Sequence, residues 1–392
     1  MPVATGTVRT WTVSRGSWDH RGKAAANRKT AGRTGRAAGR IAPSEVIETG
    51  WMIRSRRRLG NLPFGSGEVS FPIVFELREI EAAAGTVYRF MAPTPQIRWP
   101  LLCRRAGCEV WVKHENHTPI GAFKVRGGLV YLERLRKEQP GTAGVISATR
   151  GNHGQSVALA ASHHGLEATI VVPQGNSREK NWAMEAWGAK LVEHGRDFDE
   201  AYAYAKRLAR ERELHLILAF HPWLALGVAT YSLEFLRAVP DLDVVYVPIG
   251  QGSGICGMIA VRDALGLDTR IVGVVAAAAP AYALSFAKRQ VVATDSAVTV
   301  ADGVACRIPD PAALEVILKG AERIVTVSEE EIKAAMRHYF TDTHNVAEGA
   351  GAAPLAALLK EQERMAGRKV GLVLSGGNVD RELFAGVLAS GP

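Results

Sequence analysis

The sequence is short of several things, and each shortage removes a class of protein. No apolar run reaches the roughly eighteen residues that a membrane helix needs, so the chain has nothing from which to make a span, and no membrane partner is expected. Cysteine is scarce: Cys103, Cys108, Cys256 and Cys306 show neither CxxC spacing nor histidine neighbours suited to a metal cage. They read as reduced thiols of a cytoplasmic protein, which argues against a disulfide framework. Acidic residues are nearly missing from one end. Residues 1–60 hold 13 Lys and Arg against Asp19, Glu45 and Glu48, a net +10, which leaves 35 basic and 36 acidic residues, a net −1, for the other 332. The overall charge of +9 therefore belongs to a tail, and the body offers no electrostatic reason for a nucleic-acid partner.

That tail, with runs such as RKTAGRTGRAAGR and RSRRR, has no hydrophobic periodicity. Residues 1–66 are expected to be a basic, disordered extension. It reads as a transit segment, a nucleic-acid arm, or upstream sequence translated from an early start, with Val74 a natural true beginning.

What is present is an ordinary soluble composition, 47% hydrophobic and 22% charged, long enough for a large core. From about residue 141, β-branched runs alternate with helical stretches, the pattern of a parallel sheet covered by helices. The runs are GVISA, ATIVVP, KLVEH, LHLILAF, VVYVPIG, RIVGVV, RIVTV and KVGLVL. Helices are predicted over 197–213 and 226–238, and SEEEIKAAMRHYF opens with Ser328 as N-cap and Glu331 at the capping-box position. The fold class is α/β, with ligand in a cleft beyond the carboxyl ends of the strands. Pro and Gly punctuation brackets a compact four-strand block, so a small domain over 141–223 is expected inside a large domain of 67–140 and 224–392.

Four segments fall where strands end. In HTPIGAFKVRGG, Lys124 lies between Phe123 and Val125, and an apolar setting lowers an amine pKa toward that of a nucleophile and base; a solvated surface lysine is the bland alternative. In SATRGNHGQS, a helix starting near Asn152, with Thr149 and His153, forms a receptor for a carboxylate, or simply an N-cap. PIGQGSGICG can wrap a phosphate at a helix start. Its Gly252-x-Gly254-x-x-Gly257 is also the dinucleotide pattern, but RIVGVV runs into alanines where a ribose-binding acid belongs. In KVGLVLSGGN, Ser375 stands where it can hydrogen-bond a ring nitrogen or cap a turn.

In order and spacing, AFKVRGG, TRGNHGQS, GQGSGICG and SGGN resemble the threonine and serine dehydratases, fold-type II pyridoxal-phosphate enzymes related to the tryptophan synthase β-subunit, over residues 75–390. The resemblance implies two open, twisted, mostly parallel sheets and pyridoxal 5'-phosphate as cofactor. It implies that Lys124 is catalytic and carries the cofactor, that Gly250, Gln251, Gly252, Ser253 and Gly254 hold its phosphate, and that Phe123, Asn152 and Ser375 meet its ring. Thr149, Arg150, Asn152 and His153 become the substrate loop, and Glu348 in NVAEGAGA resembles an acidic residue near the cofactor, or is a helix-start acid. The reaction implied is dehydration then deamination of a small β-hydroxy amino acid, L-threonine or L-serine, to a 2-oxo acid and ammonia, in a homodimer.

The sequence departs from the pattern in places. Arg150 stands where resembling racemases carry a proton-exchanging serine, which makes serine racemisation the weaker reading. Arg150 could instead take a second carboxylate, as in threo-3-hydroxyaspartate, or form a salt bridge, and phenylserine is a further alternative substrate. Val275 and four alanines replace the acids of metal-dependent relatives, so no metal site is expected. Little chain follows SGGN, so feedback through a C-terminal regulatory domain is not expected either.

Overall fold

The computed structural model describes residues 75–391; the expectations for residues 1–66 and for a start at Val74 fall outside them. Ten strands form: β1 Gln96–Arg98, β2 Glu109–His114, β3 Gly144–Ala148, β4 Glu167–Val172, β5 Lys190–Glu193, β6 His215–Leu216, β7 Val244–Pro248, β8 Arg270–Ala276, β9 Arg323–Val327 and β10 Lys369–Leu374. They make two sheets, a six-stranded one in the order β1-β2-β10-β7-β8-β9 and a four-stranded one in the order β5-β4-β3-β6. Every pairing is parallel except β1 with β2. Parallel strands need crossovers, which the helices between the β-branched runs supply, and burial on both faces explains why β3 and β10 are almost wholly apolar.

The order of the larger sheet positions the site. Strands β2, β10 and β7 are neighbours pointing the same way, so the chain leaving each of them emerges at one edge. β2 leads to the Lys124 turn, β10 to SGGN and β7 to PIGQGSG. Segments some 250 residues apart in sequence thus meet by topology.

Two strand expectations need correction. LHLILAF yields only the two-residue β6. It is an edge strand: Ile217 N still donates to Ile146 O at 2.8 Å, after which the chain leaves the sheet before Pro222 begins the next helix. β1 and β2 were not expected, because EVWVKH carries charge at Glu109 and Lys113 and lies outside the region of clear alternation. The helices run Phe198–Glu211 and Pro222–Ala238, within a turn of the predicted spans. Ser328 and Glu331 form both capping-box bonds, at 3.2 and 2.7 Å.

Lys113 is fully buried because its charge has partners. Its Nζ lies 2.5 Å from Glu234, while Arg126 bonds Glu115 at 2.7 Å and Glu234 at 2.6 Å. Two cations and two carboxylates close a neutral cluster that anchors the helix Lys124–Glu138 against the helix Pro222–Ala238. All four cysteines are free, and among the described residues no helix is long and apolar enough to cross a membrane.

Candidate active site

Lys124 is the first residue of its helix, set there by a stapled turn. The Thr118 hydroxyl accepts from Ala122 N at 2.9 Å and donates to Ala122 O at 2.8 Å. Phe123 N then donates to Ser375 O at 3.0 Å and Gly377 N to Gly121 O at 2.9 Å, which ties the lysine turn to the loop after β10. Ser156 Oγ donates to Lys124 O at 2.6 Å, fixing the helix that follows TRGNH against the lysine helix.

The Lys124 amine faces a cavity of about 640 Å³. It lies 5.0 Å from the centre of the Phe123 ring. Burial pushes its pKa down to about 8, an effect partly offset by the charge of Glu348. At pH 7 the fraction of neutral amine therefore rises on the order of a hundredfold over a solvated lysine. That is the state a nucleophile or base requires.

The cavity wall holds every residue singled out from the sequence: Phe123, Thr149, Arg150, Asn152, His153, the stretch Gly250 to Gly254, Glu348 and Ser375. Their partners differ in ways the sequence could not show. Asn152 Nδ2 donates to both oxygens of Glu348, at 2.9 and 3.1 Å, and its own oxygen accepts from Asn378 at 2.7 Å. Glu348 begins the helix Gly349–Lys360 but its side chain caps nothing; it crosses over Gly376, where an added Cβ would lie 2.6 Å from Oε1. Only glycine admits a carboxylate that close. Burial, first of all, raises the Glu348 pKa, against the charge of Lys180.

His153 is buried, with Nε2 lacking a partner. Burial and then the Lys124 charge push its pKa down to about 3, against a hydrogen bond to the Leu218 backbone. It is a neutral imidazole near pH 7, able to exchange a hydrogen bond but not to supply charge. Arg150 is exposed at the mouth, and the ion pairs among the described residues do not include it.

Lys180, Asp302 and Asn378 are functional candidates that sequence reading missed. The Lys180 stem lies across the TRGNH turn, with its Cδ 2.9 Å from where a Gly151 Cβ would be, and its Nζ pairs with Asp302 at 2.8 Å. Burial works against its charge, but Asp302 and Glu348 outweigh burial and hold its pKa above the ordinary value. In SREKN it looks like any surface lysine, and no local pattern marks it. Asn378 belongs to a quoted motif, but its partner is 226 residues away.

Opposite the lysine, the loop after β7 turns at Gly252, whose φ of +102° suits glycine, into the helix Ser253–Ala264. No side chain caps that helix, so its first N–H groups remain for an anion. The fold and the site define an enzyme that works through a lysine-held aldehyde cofactor with an anionic group. A family model described as pyridoxal-phosphate dependent enzyme matches residues 87–376, and the chain belongs to that family.

The L-threonine ammonia-lyase of Geobacter sulfurreducens is 37% identical over 288 residues, 73% of this chain and 71% of that one. The processed form of threonine deaminase isoform 2 from Solanum lycopersicum superposes with a TM-score of 0.74 at 28% identity, covering 82% of this chain and 96% of that chain. Maize serine racemase does so with a TM-score of 0.74 at 28% identity, covering 79% and 96%. The expected two-sheet α/β architecture of the tryptophan synthase β type holds.

The residues fit the cofactor. Lys124 supplies an amine of lowered pKa facing the cavity, the uncapped start at Gly252–Gly254 suits the phosphate, and the Ser375 hydroxyl group sits at the end of β10.

Proposed function

We propose that this protein is an ammonia-lyase that eliminates the hydroxyl and then the amine of a β-hydroxy amino acid, L-threonine or L-serine, releasing a 2-oxo acid and ammonia. One observation carries the reading: a half-buried lysine, its pKa lowered to about 8 by desolvation, shares one cavity with an uncapped glycine-rich helix start and with the TRGNH turn. When bound, the cofactor supplies an electron sink for charge developing at the substrate α-carbon. Lys124 would hold it, and its amine, partly neutral near pH 7, is suited to take the α-proton. The stretch Gly250, Gln251, Gly252, Ser253 and Gly254 binds the phosphate, with Phe123, Asn152 and Ser375 around the ring. Thr149, Arg150, Asn152 and His153 receive the substrate, with N–H groups at the start of the helix Asn152–His163 meeting its carboxylate. Lys180, half-buried and held in its charged form, supplies positive charge beside the TRGNH turn, whereas His153 is neutral. Glu348 keeps Asn152 oriented.

The likeness to maize serine racemase favours racemisation as a second reading. It requires a proton carrier on the opposite face of the α-carbon, and Arg150 is a poor one.

The reading includes a large domain of 67–140 and 224–392 with a small one of 141–223, supported by the four-stranded sheet lying wholly within 144–216. It includes a cytoplasmic site, supported by four free thiols. It also includes a homodimer, for which exposed Phe340 and Leu383 on packed helices offer apolar surface. The test is release of 2-oxo acid from L-threonine and L-serine by cofactor-loaded protein, alongside Lys124→Ala. Oxo acid from the native chain and none from the variant supports the reading. A protein that cannot be loaded with the cofactor overturns it.

A further inference from the structure

We infer that the cavity contains a subsite for a large apolar side chain, so that the enzyme accepts β-hydroxy amino acids whose β-carbon bears an aromatic ring. This rests on the ammonia-lyase reading and extends its substrate class. The cavity lining includes Phe198, Tyr202, Leu218, Phe220, Val298 and Ile308. The rings of Phe198 and Tyr202 stack, with an interplanar angle of 2° and centroids 6.1 Å apart. Leu218, Val298 and Ile308 are 39%, 83% and 56% exposed. Large apolar side chains gathered in the open around one concavity mark a place where a ligand covers them.

Position assigns that ligand to the substrate. Leu218 shares a hydrogen bond between its backbone and His153, so the apolar segment stands beside the turn that would take the substrate carboxylate. The cavity of about 640 Å³ takes the cofactor as well as the substrate, so the apolar lining rather than the volume points to a large side chain. Two pairs of charges in the lining neutralise each other. Asp199 meets Arg307 at 2.6 Å and Lys180 meets Asp302 at 2.8 Å. Of the cations expected to meet substrate, only exposed Arg150 is left to favour a second carboxylate, and an exposed guanidinium discriminates weakly.

The chemistry is the same for either side chain. The α-C–H bond and the Cβ–O bond break and water leaves; the enamine released then takes up one water and gives ammonia. 3-Phenylserine therefore yields phenylpyruvate and ammonia, with no oxidant and no net consumption of water.

The test compares L-threo-3-phenylserine, L-threonine and threo-3-hydroxyaspartate as substrates of the cofactor-loaded enzyme, with Leu218→Asn and Ile308→Asn. We expect kcat/KM for phenylserine to equal or exceed that for threonine, and the ratio of the two to fall at least tenfold in each variant while cofactor absorbance is retained. Turnover of phenylserine below about a hundredth of that of threonine, preference for hydroxyaspartate, or a ratio unmoved in both variants overturns the inference and leaves the lyase reading standing. If none of the three yields oxo acid, the lyase reading fails instead. Calorimetric binding of the same amino acids to cofactor-loaded Lys124→Ala then judges the subsite by itself. Tighter binding of phenylserine than of threonine supports it, and equal binding overturns it.

Discussion

The Asn152 amide donates to both carboxylate oxygens of Glu348, at 2.9 and 3.1 Å, and so joins the turn after β3 to the start of the helix Gly349–Lys360. Glu348 also raises the pKa of Lys124 by its charge. Its carboxylate thus orients one wall of the site and tunes the amine on another. Glu348→Gln keeps the shape and an acceptor but removes the charge, so Lys124 should titrate below about 8. The readout is the pH dependence of the rate at which the cofactor-free protein takes up pyridoxal phosphate. A profile that does not move would count against this coupling.

Lys124 should cost the cofactor-free protein stability. Its pKa is 10.5 when solvated and about 8 when folded. Between those values the unfolded chain holds the proton and the folded one does not, so stability rises with pH across that window and is lowest below it. At pH 7 the buried ammonium costs about 3 kcal/mol. Lys124→Met, with Lys180 and Asn152 still holding Glu348, should raise urea-unfolding stability at pH 7 by roughly that amount and flatten its dependence between pH 8 and 10.5. No gain at pH 7 would be a refutation.

Lys180 pairs with Asp302 across the mouth of the cavity, and Ser177 donates to Asp380 at 2.5 Å beside it. Asp302 is 41% exposed, so the ion pair contributes little to global stability. Its weight should fall on substrate binding. Lys180→Met is expected to raise KM about tenfold, with kcat falling less and Tm by under about 2 °C, and Lys180→Arg to recover part of the KM. A loss confined to kcat would instead place Lys180 in the chemical step.

Arg126 is buried between Glu115 and Glu234, bonding them at 2.7 and 2.6 Å. Arg126→Met leaves two carboxylates to share Lys113, and breaking a buried pair from one side costs about 3–5 kcal/mol. Chemical denaturation should show that loss. Equal stability of the variant would mean that the cluster is replaceable by apolar packing.

Much of this protein was legible before folding was considered. The strands GVISA and KVGLVL begin and end where their apolar runs do, because a strand buried on both faces is apolar almost throughout, and RIVTV, at the sheet edge, was marked by its β-branched residues. The capping box at Ser328 and Glu331 was legible because both partners lie within one turn. Lys124, Asn152 and Ser375 were legible because each sits in a short motif at a strand end. β2 was hidden by Lys113, a residue that looks solvated until Glu234, 121 positions away, neutralises it.

The sequence by itself determined the α/β class and the four motifs, since these depend on periodicity and on residue types at fixed short spacing, and the order of those motifs carried the resemblance to the pyridoxal-phosphate family. Only the tertiary structure decided which charges meet. That Asn152 faces Glu348, that Lys180 rather than His153 is the charged group beside the TRGNH turn, and that Leu218, just past β6, lines the cavity all follow from contacts between segments far apart in the chain. Burial and partner choice set those states, and both depend on the neighbours that the parallel sheet brings to one edge.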